Sequence, residues 1–302
     1  MSIYVEINIQ ADLDDLWSKT QVPSLHQRWD LRFTRIEYLA RDDDSHPQRF
    51  LYSTRIGFGL KISGEGETVG TRDDGNGSRT SALKFWSDDP KSLILQGSGY
   101  WKYIPTNNGV RFLTWYDYST RFGAIGRIID ALLFQRLLGW ATAWSFDRLR
   151  LWLEKEIEPS IALERSVIYG ICRIVVAFVW IYHGLVPKLI FQHQDELAML
   201  RAAGIPPTNL VSALSIIGWV EMTLGLSLLF AWRARSLFLA NIVFMLCALI
   251  VVAITSHQYL VAAFNPVTLN MMTIALSTIG FIVGRDIPSA KMCERNKAET
   301  ES

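Results

Sequence analysis

The chain has 302 residues, half of them hydrophobic, and its 30 Lys and Arg nearly balance its 29 Asp and Glu. A net charge of only +1 gives no support to nucleic-acid binding, which calls for a basic excess or patch. The cysteines, Cys172, Cys247 and Cys293, are far apart with no Cys-x-x-Cys pair, so a disulfide framework, a zinc knuckle and thioredoxin-like redox chemistry are poorly supported.

The charged residues are distributed unevenly along the chain. Most of them lie before residue 161, so the two halves are expected to lie in different solvents. The length alone is compatible with two domains. The N-terminal stretch MSIYVEINIQADLDDLW has acidic residues and alternating apolarity, where a signal peptide needs a basic start and an apolar core. We therefore expect the first half to stay in the cytosol.

The first half is predicted to form an antiparallel sheet and one long helix. IYVEINI (3–9) alternates like a half-buried strand, and two short helical segments follow it. Turn signals such as DDGNG and TNNG separate six further strand-like runs, at 33–40, 49–58, 60–70, 81–87, 92–104 and 110–119. A long helical pattern from about Gly123 to Glu158 ends the block. The hairpin spacing favours an antiparallel meander over βαβ units.

This order of elements resembles the helix-grip fold of the START-like (SRPBCC) superfamily over residues 1–158. ADLDDLWSKTQVPSLHQRWD and ATAWSFDRLRLWLE are the local matches. The resemblance implies an α+β domain whose sheet wraps the long helix around a cavity, which in the superfamily takes lipids, polyketides, quinones and other hydrophobic ligands. The aromatic side chains expected to line it are Trp86, Tyr100, Trp101, Trp115, Tyr116, Trp140 and Trp144. The alternative is that they are ordinary core residues.

The stretch FGAIGRIIDALLFQRLLGW (122–140) in the long helix is strongly apolar. It could lie against the membrane or against membrane-spanning helices. Burial under the sheet is the placement we expect.

The second half is predicted to cross a membrane four times. A spanning helix needs about 20 mostly apolar residues, and four segments qualify: Val167–Phe191, Leu210–Trp232, Leu237–Thr255 and Pro266–Gly284. A soluble domain seldom makes four consecutive helices apolar on every face. The predicted organisation is a soluble domain at 1–158, a linker at 159–164 and an all-α four-helix transmembrane bundle with a short tail at 165–302.

Positive charge beside the spans predicts the orientation. The cations cluster before the first span, between the second and third, and after the fourth: Lys155, Arg165, Arg233, Arg235, Arg285, Lys291, Arg295 and Lys297. The other two loops carry little beyond Lys188 and Arg201. Because Lys and Arg are enriched in cytoplasmic loops, both termini are predicted to be cytoplasmic, in a multi-pass protein of the inner cell membrane.

The sequence RIVVAFVWIYHGLVPKLIF…DELAMLRAAGI, followed by IIGWVEMTLGLSLL, is similar to the DoxX-like family of small four-span membrane proteins. The similarity covers about residues 165–285, and the stretch Gly184–Lys188 and the glutamate of the second span carry it. Relatives in that family include DoxX and DoxD proteins tied to quinone-linked sulfur oxidation, and others tied to oxidative-stress complexes. These associations define no reaction for this chain.

Four ionisable residues in the predicted spans form a candidate intramembrane polar site: Arg173, Glu221, His183 and Lys188. Such residues are costly in a membrane, usually pair with one another and are functional candidates by default. Arg173 is ~9 Å and Glu221 ~16 Å from the cytoplasmic ends of their spans, so an Arg173–Glu221 ion pair is predicted. The pair could fix helix packing, anchor a ligand head group or relay protons. His183 and Lys188 could belong to a ligand site or act as snorkelling anchors.

Other chemistry has little support. His183 is the only histidine in a span, which disfavours haem, and no nucleophilic set, metal motif or phosphate loop is recognisable. We predict no catalytic residue, no metal and no resident cofactor, and the chain alone does not look like an enzyme. The leading hypothesis is a START-like module that binds a hydrophobic small molecule, a lipid or a quinone, and acts with the DoxX-like bundle in the lipid bilayer. The alternatives are an accessory subunit of a quinone-linked oxidoreductase or oxidative-stress complex, with a redox partner subunit, and a small transporter.

Overall fold

The computed structural model describes residues 2–41, 43, 46–56, 59–75, 77–263 and 265–296. Two predictions fall partly outside the described residues: the end of the strand at 49–58 and the cytoplasmic cation Lys297. Tertiary contacts divide the chain into two compact units. The first comprises the residues up to Leu163 together with the tail from Pro288, and the second runs from Glu164 to Ile287.

The first unit is built on a seven-stranded antiparallel sheet with the strand order β1-β7-β6-β5-β4-β3-β2. Its strands are β1 (Ser2–Ile9), β2 (Arg35–Tyr38), β3 (Arg49–Ile56), β4 (Leu60–Asp73), β5 (Arg79–Trp86), β6 (Ile94–Thr106) and β7 (Gly109–Thr120). After β1 the strands follow one another as a meander, and β7 closes back on β1. Each predicted run overlaps one of these strands, and the antiparallel meander is confirmed.

Helices cover one face of this sheet. They are α1 (Leu13–Gln21), α2 (Pro23–Trp29), α3 (Gly123–Ile129) and α4 (Gln135–Lys155), with a π-helical turn (Asp130–Phe134) joining α3 to α4. The apolar face of β1, which the alternating sequence predicted, is buried against α4 at Ile3, Val5, Ile7 and Ile9. A sheet wrapped on a long C-terminal helix is the helix-grip arrangement, so the predicted α+β fold class is confirmed.

The tail after the last span also belongs to the first unit. Glu294 forms an antiparallel bridge with Glu6 on β1, with both N···O distances 2.9 Å. The backbone N–H of Ser289 donates to Asp147 Oδ2 at 2.8 Å, and Ala290 is buried in the core. The assignment of this tail to the membrane domain was therefore wrong, because two main-chain hydrogen bonds and a buried apolar residue attach it to the sheet.

The second unit consists of long apolar helices. They are α5 (Pro159–His183), which continues into a π-helical segment (Gly184–Ile190), α7 (Leu210–Phe230), α8 (Ser236–Thr255) and α9 (Pro266–Val283); the short α6 (Gln194–Ala202) lies between α5 and α7. Four of these helices are long and apolar enough to cross a membrane. They match the four predicted spans, except that the first begins at Pro159. The predicted linker at 159–164 is thus the first turns of α5.

Buried polar side chains join three of the spans. Trp180 Nε1 on α5 donates to Asn241 Oδ1 on α8 at 2.6 Å, and Asn241 Nδ2 donates to Ser277 Oγ on α9 at 2.6 Å. Because lipid offers no competing hydrogen-bond partner, such contacts orient helices against one another. The second core packs around them and includes Tyr169 and Phe238.

Candidate functional site

The candidate site in the second unit begins with an irregularity at the end of the first span. From Gly184 to Ile190 the helix widens to a π-helix, and Pro187 lies inside this segment. Proline has no N–H to donate and crowds the preceding turn, so it breaks the regular α-helical pattern. A Cβ on Gly184 would lie 2.5 Å from Gly218 O on α7, and only glycine permits this approach. The π-helical segment is therefore held directly against α7.

This contact brings Lys188 between two carboxylates. Its Nζ lies 3.0 Å from Glu196 Oε1 on α6 and 3.2 Å from Glu221 Oε2 on α7. It also lies 3.5 Å from the backbone oxygen of His183. The lysine side chain is only 8% exposed. We call Lys188, Glu196, Glu221 and the His183 carbonyl the Lys188 cluster.

Glu221 is the least satisfied member of the Lys188 cluster. Its Oε2 atom is buried and, among the described residues, has no hydrogen bond of good geometry. The contact with Lys188 Nζ is thus an attraction between charges without an aligned hydrogen bond. Buried polar atoms are nearly always hydrogen-bonded, and each exception calls for an explanation such as a ligand or water. Glu221 can therefore accept a hydrogen bond from a further donor.

The predicted Arg173–Glu221 ion pair is wrong. Arg173 Nε donates to Leu228 O at 2.7 Å and Nη2 to Ala231 O at 2.8 Å, at the C-terminal end of α7. Leu228 is seven residues beyond Glu221, which is ~10 Å along a helix axis. The last carbonyls of a helix have no partner within the helix and lie at its negative end, so a buried cation is drawn there.

Arg173 is fully buried and surrounded by aromatic rings. Its Nη1 atom donates to the Tyr169 hydroxyl at 2.5 Å, and its guanidinium lies 5.3 to 5.7 Å from the rings of Tyr169, Trp232 and Phe238. Since these partners are carbonyl, hydroxyl and ring groups, Arg173 secures the end of α7 and does not belong to the Lys188 cluster.

The two remaining predicted residues have different places. Lys188 is the centre of the cluster, whereas His183 contributes its backbone oxygen, and its imidazole lies beside the Tyr182 ring at a centroid distance of 6.2 Å. Sequence reasoning missed Glu196, which lies outside the spans in the segment DELAML. An acid shortly after an intramembrane lysine was the available signal.

In the first unit, the seven aromatic residues predicted to line one cavity lie on different surfaces. Trp101, Tyr116 and Trp144 are buried in the core. Tyr100 and Trp115 are the next residues along their strands, so they lie on the opposite sheet face, where their rings stack at 6.0 Å.

The other two predicted cavity residues lie near the periphery. Trp86 ends β5 and borders an open depression of about 560 Å³, and Trp140 is 45% exposed. The prediction of a shared lining was therefore wrong, because neighbouring residues on a strand cannot face the same side.

The core of the first unit contains a charged cluster that sequence reasoning missed. Arg32 Nε donates to Asp30 Oδ1 at 2.9 Å and its Nη2 donates to Asp30 Oδ2 at 2.6 Å. His26 Nε2 lies 3.0 Å from Asp30 Oδ2, and the His26 ring stacks on Trp29. The i, i+4 spacing of His26 on α2 and Asp30, the C-cap residue of that helix, was the available signal.

Burial shifts the pKa values of this cluster. Burial alone would raise the pKa of Asp30, but the charge of Arg32 and the hydrogen bonds from His26 and Arg32 outweigh it and hold that pKa well below its usual range. Burial lowers the pKa of His26, against the opposing attraction of Asp30. At neutral pH the cluster is thus an Asp–Arg ion pair beside a neutral histidine. The described residues include no group of three or more His, Cys, Asp or Glu placed to hold a metal ion.

Comparison with known protein families finds a match within the second unit. A family model described as DoxX-like matches residues 177–278, a range that contains every member of the Lys188 cluster but not Arg173. The uncharacterized membrane protein YndG of Bacillus subtilis (strain 168) is 54% identical over 183 residues, which are 60% of this chain and 68% of that protein.

Solved structures resemble the chain over about half its length. A STAR-related lipid transfer protein from Xanthomonas axonopodis aligns with a TM-score of 0.39 and 15% identity, covering 51% of this chain and 85% of that one. The Zhui aromatase/cyclase from Streptomyces sp. R1128 aligns with a TM-score of 0.37 and 12% identity, covering 49% and 95%. The topology described above, and not these distant alignments, establishes the helix-grip fold.

Proposed function

Because the chain belongs to the same membrane-protein family as YndG of Bacillus subtilis and joins a helix-grip domain to a DoxX-like bundle, we propose that it binds a hydrophobic small molecule, a lipid or a quinone, in the membrane. The head group of this molecule is held at the Lys188 cluster.

The observation that carries the proposal is the buried, unsatisfied Oε2 atom of Glu221 beside Lys188. A carboxylate oxygen accepts a hydrogen bond from a hydroxyl group, such as that of a quinol or a lipid, and an ammonium group donates to a quinone or ester carbonyl. An intramembrane charge that served packing alone would be expected to have its hydrogen bonds filled. Ionisable residues inside spans commonly mark ligand or ion pathways.

The helix-grip domain is proposed to receive or sense the same class of molecule. Half-buried rings of Phe50, Tyr52 and Phe85 lie on its strands, and the close approach of Gly66 lets the Phe50 ring lie against the neighbouring backbone. An apolar lining with a few polar groups is the usual composition of a small-molecule site. The Tyr52 hydroxyl, which donates to Trp86 O at 3.3 Å, supplies a polar group to this lining.

Both termini are proposed to be cytoplasmic. The cations flanking the spans favour this orientation under the positive-inside rule. The first unit contains chain segments from before the first span and after the fourth, and an even number of spans returns the chain to the side it left.

The test is purification of the full chain with native lipids, followed by mass spectrometry of the co-purifying small molecules. Wild-type protein is expected to retain a lipid or quinone. Glu221→Gln is expected to lose at least 80% of it while expressing and eluting normally, and the matched control Glu164→Gln, an exposed glutamate at the start of α5, is expected to retain it.

Equal retention by Glu221→Gln and wild type would refute the head-group site. Recovery of a flavin- or haem-bearing subunit, with no small molecule, would instead support an accessory subunit of a quinone-linked oxidoreductase.

A further inference from the structure

The long helix of the first unit exposes a continuous apolar stripe. Six aliphatic residues are between 46% and 68% exposed: Ile125, Ile128, Ile129, Leu132, Leu133 and Leu137. Phe122 and Trp140, at the two ends, are also about half exposed. We call these eight residues the α3 stripe. The expectation that this stretch is buried under the sheet was wrong for this face.

The π-helical turn keeps the stripe straight. Residues four apart on an α-helix advance by about 40° beyond a full turn, so the row Ile125, Ile129, Leu133 and Leu137 would wind around a regular helix. A π-helical turn has more residues per turn, and Asp130–Phe134 inserts one in the middle of this row. The turn removes most of the drift and leaves the row on one side.

A different face of the same helix is fixed to the sheet. The Tyr118 hydroxyl donates to Asp130 Oδ1 at 2.6 Å, Gly126 is buried, and Phe134 packs against the core. The helix is therefore a rigid part of the domain, and its exposed apolar stripe is not the result of a loosely attached segment.

The charges of this helix are positive on the outside. Between Phe122 and Trp140 the exposed ionisable residues are Arg127 and Arg136, and the only acid, Asp130, is buried against Tyr118. An apolar stripe with basic flanking residues and aromatic ends is the pattern of helices that lie in the interface of anionic membranes.

The connections between the helix-grip domain and the span helices are short. Only residues 156–158 separate α4 from α5, the first span helix, and only residues 284–287 separate α9 from the tail that rejoins the domain. Four residues extend at most ~14 Å. Two short covalent links therefore join the helix-grip domain to the span helices.

We propose that the α3 stripe inserts into the head-group region of the bilayer and anchors the helix-grip domain to anionic lipid. The occupant is the lipid surface itself, and this anchor is independent of the head-group site at the Lys188 cluster.

Lipid photo-crosslinking tests the proposal. The full chain is reconstituted in nanodiscs of phosphatidylcholine and phosphatidylglycerol that contain a lipid with a diazirine near the head-group end of its acyl chain. Adducts are mapped by peptide mass spectrometry. We expect adducts on the peptide covering residues 122–140, and a several-fold lower yield without phosphatidylglycerol.

The variant Ile128→Asp/Leu132→Asp is expected to lose at least tenfold of the adducts on this peptide. The matched control, Ala124→Asp/Ala131→Asp, adds the same charge at exposed alanines outside the stripe and is expected to lose less than threefold. Adducts on the four spans serve as the internal measure of folding and insertion in both variants.

Two outcomes would overturn the proposal. One is the absence of lipid adducts on residues 122–140 while the spans are labelled normally. The other is an adduct yield on this peptide that is the same in Ile128→Asp/Leu132→Asp as in the control variant.

Discussion

Lys188 Nζ lies 3.2 Å from Glu221 Oε2 and 3.0 Å from Glu196 Oε1, so one buried cation serves two carboxylates from two different helices. Removing one member of a buried pair leaves an uncompensated charge, which is more costly than the pair itself. The three residues should therefore behave as a unit and not as three independent contacts.

A double-mutant cycle measures this coupling. Lys188→Met and Glu221→Gln are each expected to lower the free energy of unfolding, Lys188→Met by about 2–4 kcal/mol because it strands two acids. The double variant should lose less than the sum, with a coupling of about 1–2 kcal/mol. Unfolding of the full chain in detergent micelles gives the values, and strict additivity would show that the contact is not an interaction in the protein.

Arg173 should affect stability without affecting ligand retention. Arg173→Lys keeps the charge, but a single ammonium cannot reach the carbonyls of Leu228 and Ala231 and the hydroxyl of Tyr169 together. We expect a loss of about 1–3 kcal/mol in unfolding free energy, against less than about 0.5 kcal/mol for the exposed control Arg201→Lys.

If Arg173→Lys released the bound molecule and left the free energy of unfolding unchanged, the role of Arg173 in capping α7 would be contradicted. That outcome would place the arginine in the ligand site instead.

The sequence alone was sufficient to predict the strands and helices, but it did not predict which side chains they bring into contact. Alternation along β1 and the apolar runs of the spans follow from local pattern, and both appear where they were expected. The partner of Glu221 depends on how α5 and α7 pack. That packing depends on the Gly184–Gly218 contact and the π-helical segment, which no hydropathy pattern encodes.

The aromatic prediction failed for a different reason. The identity of Tyr100 and Trp115 was informative, but their side of the sheet depends on strand register. The exposure of the α3 stripe likewise depends on a feature beyond residue identity, the π-helical turn. A regular helix with the same residues would have turned part of that row toward the sheet.

Cys293 lies beside the bridge between Glu294 and Glu6, so we expect this bridge to limit how fast Cys293 reacts with an alkylating reagent. Its Sγ lies 3.2 Å from Ala143 O, and burial raises the pKa of its thiol, with the nearby Asp147 carboxylate adding to the shift. Since the thiolate is the reactive form, alkylation at pH 7.5 should be slow.

Glu294→Pro removes the N–H that donates to Glu6 O, so it should release the tail and speed alkylation of Cys293 roughly tenfold, the equivalent of ~1.4 kcal/mol. Asn296→Pro, beyond the bridge, is the control and should change the rate less than twofold. Counting adducts by peptide separates Cys293 from Cys172 and Cys247. An unchanged rate in Glu294→Pro would show that the tail does not depend on the bridge.

The cluster of His26, Asp30 and Arg32 predicts that the first unit loses stability in acid. Burial lowers the pKa of His26 in the folded protein, so below about pH 6.5 the unfolded chain binds a proton that the folded chain refuses, and stability falls as pH falls. The pKa of Asp30 is also held below its unfolded value, so a second loss begins below about pH 4. Each unit of pKa difference is worth about 1.4 kcal/mol.

Hydrogen exchange of the peptide over α2 in the full chain, corrected for intrinsic rates, should show protection that is flat from pH 8 to 7 and lower at pH 5. His26→Gln should remove most of the difference between pH 7 and pH 5, and His46→Gln, at an exposed position of the same unit, should leave it in place. If protection over α2 rose on acidification, His26 would be protonated in the folded state, and the cluster would be stabilised by two cations around Asp30.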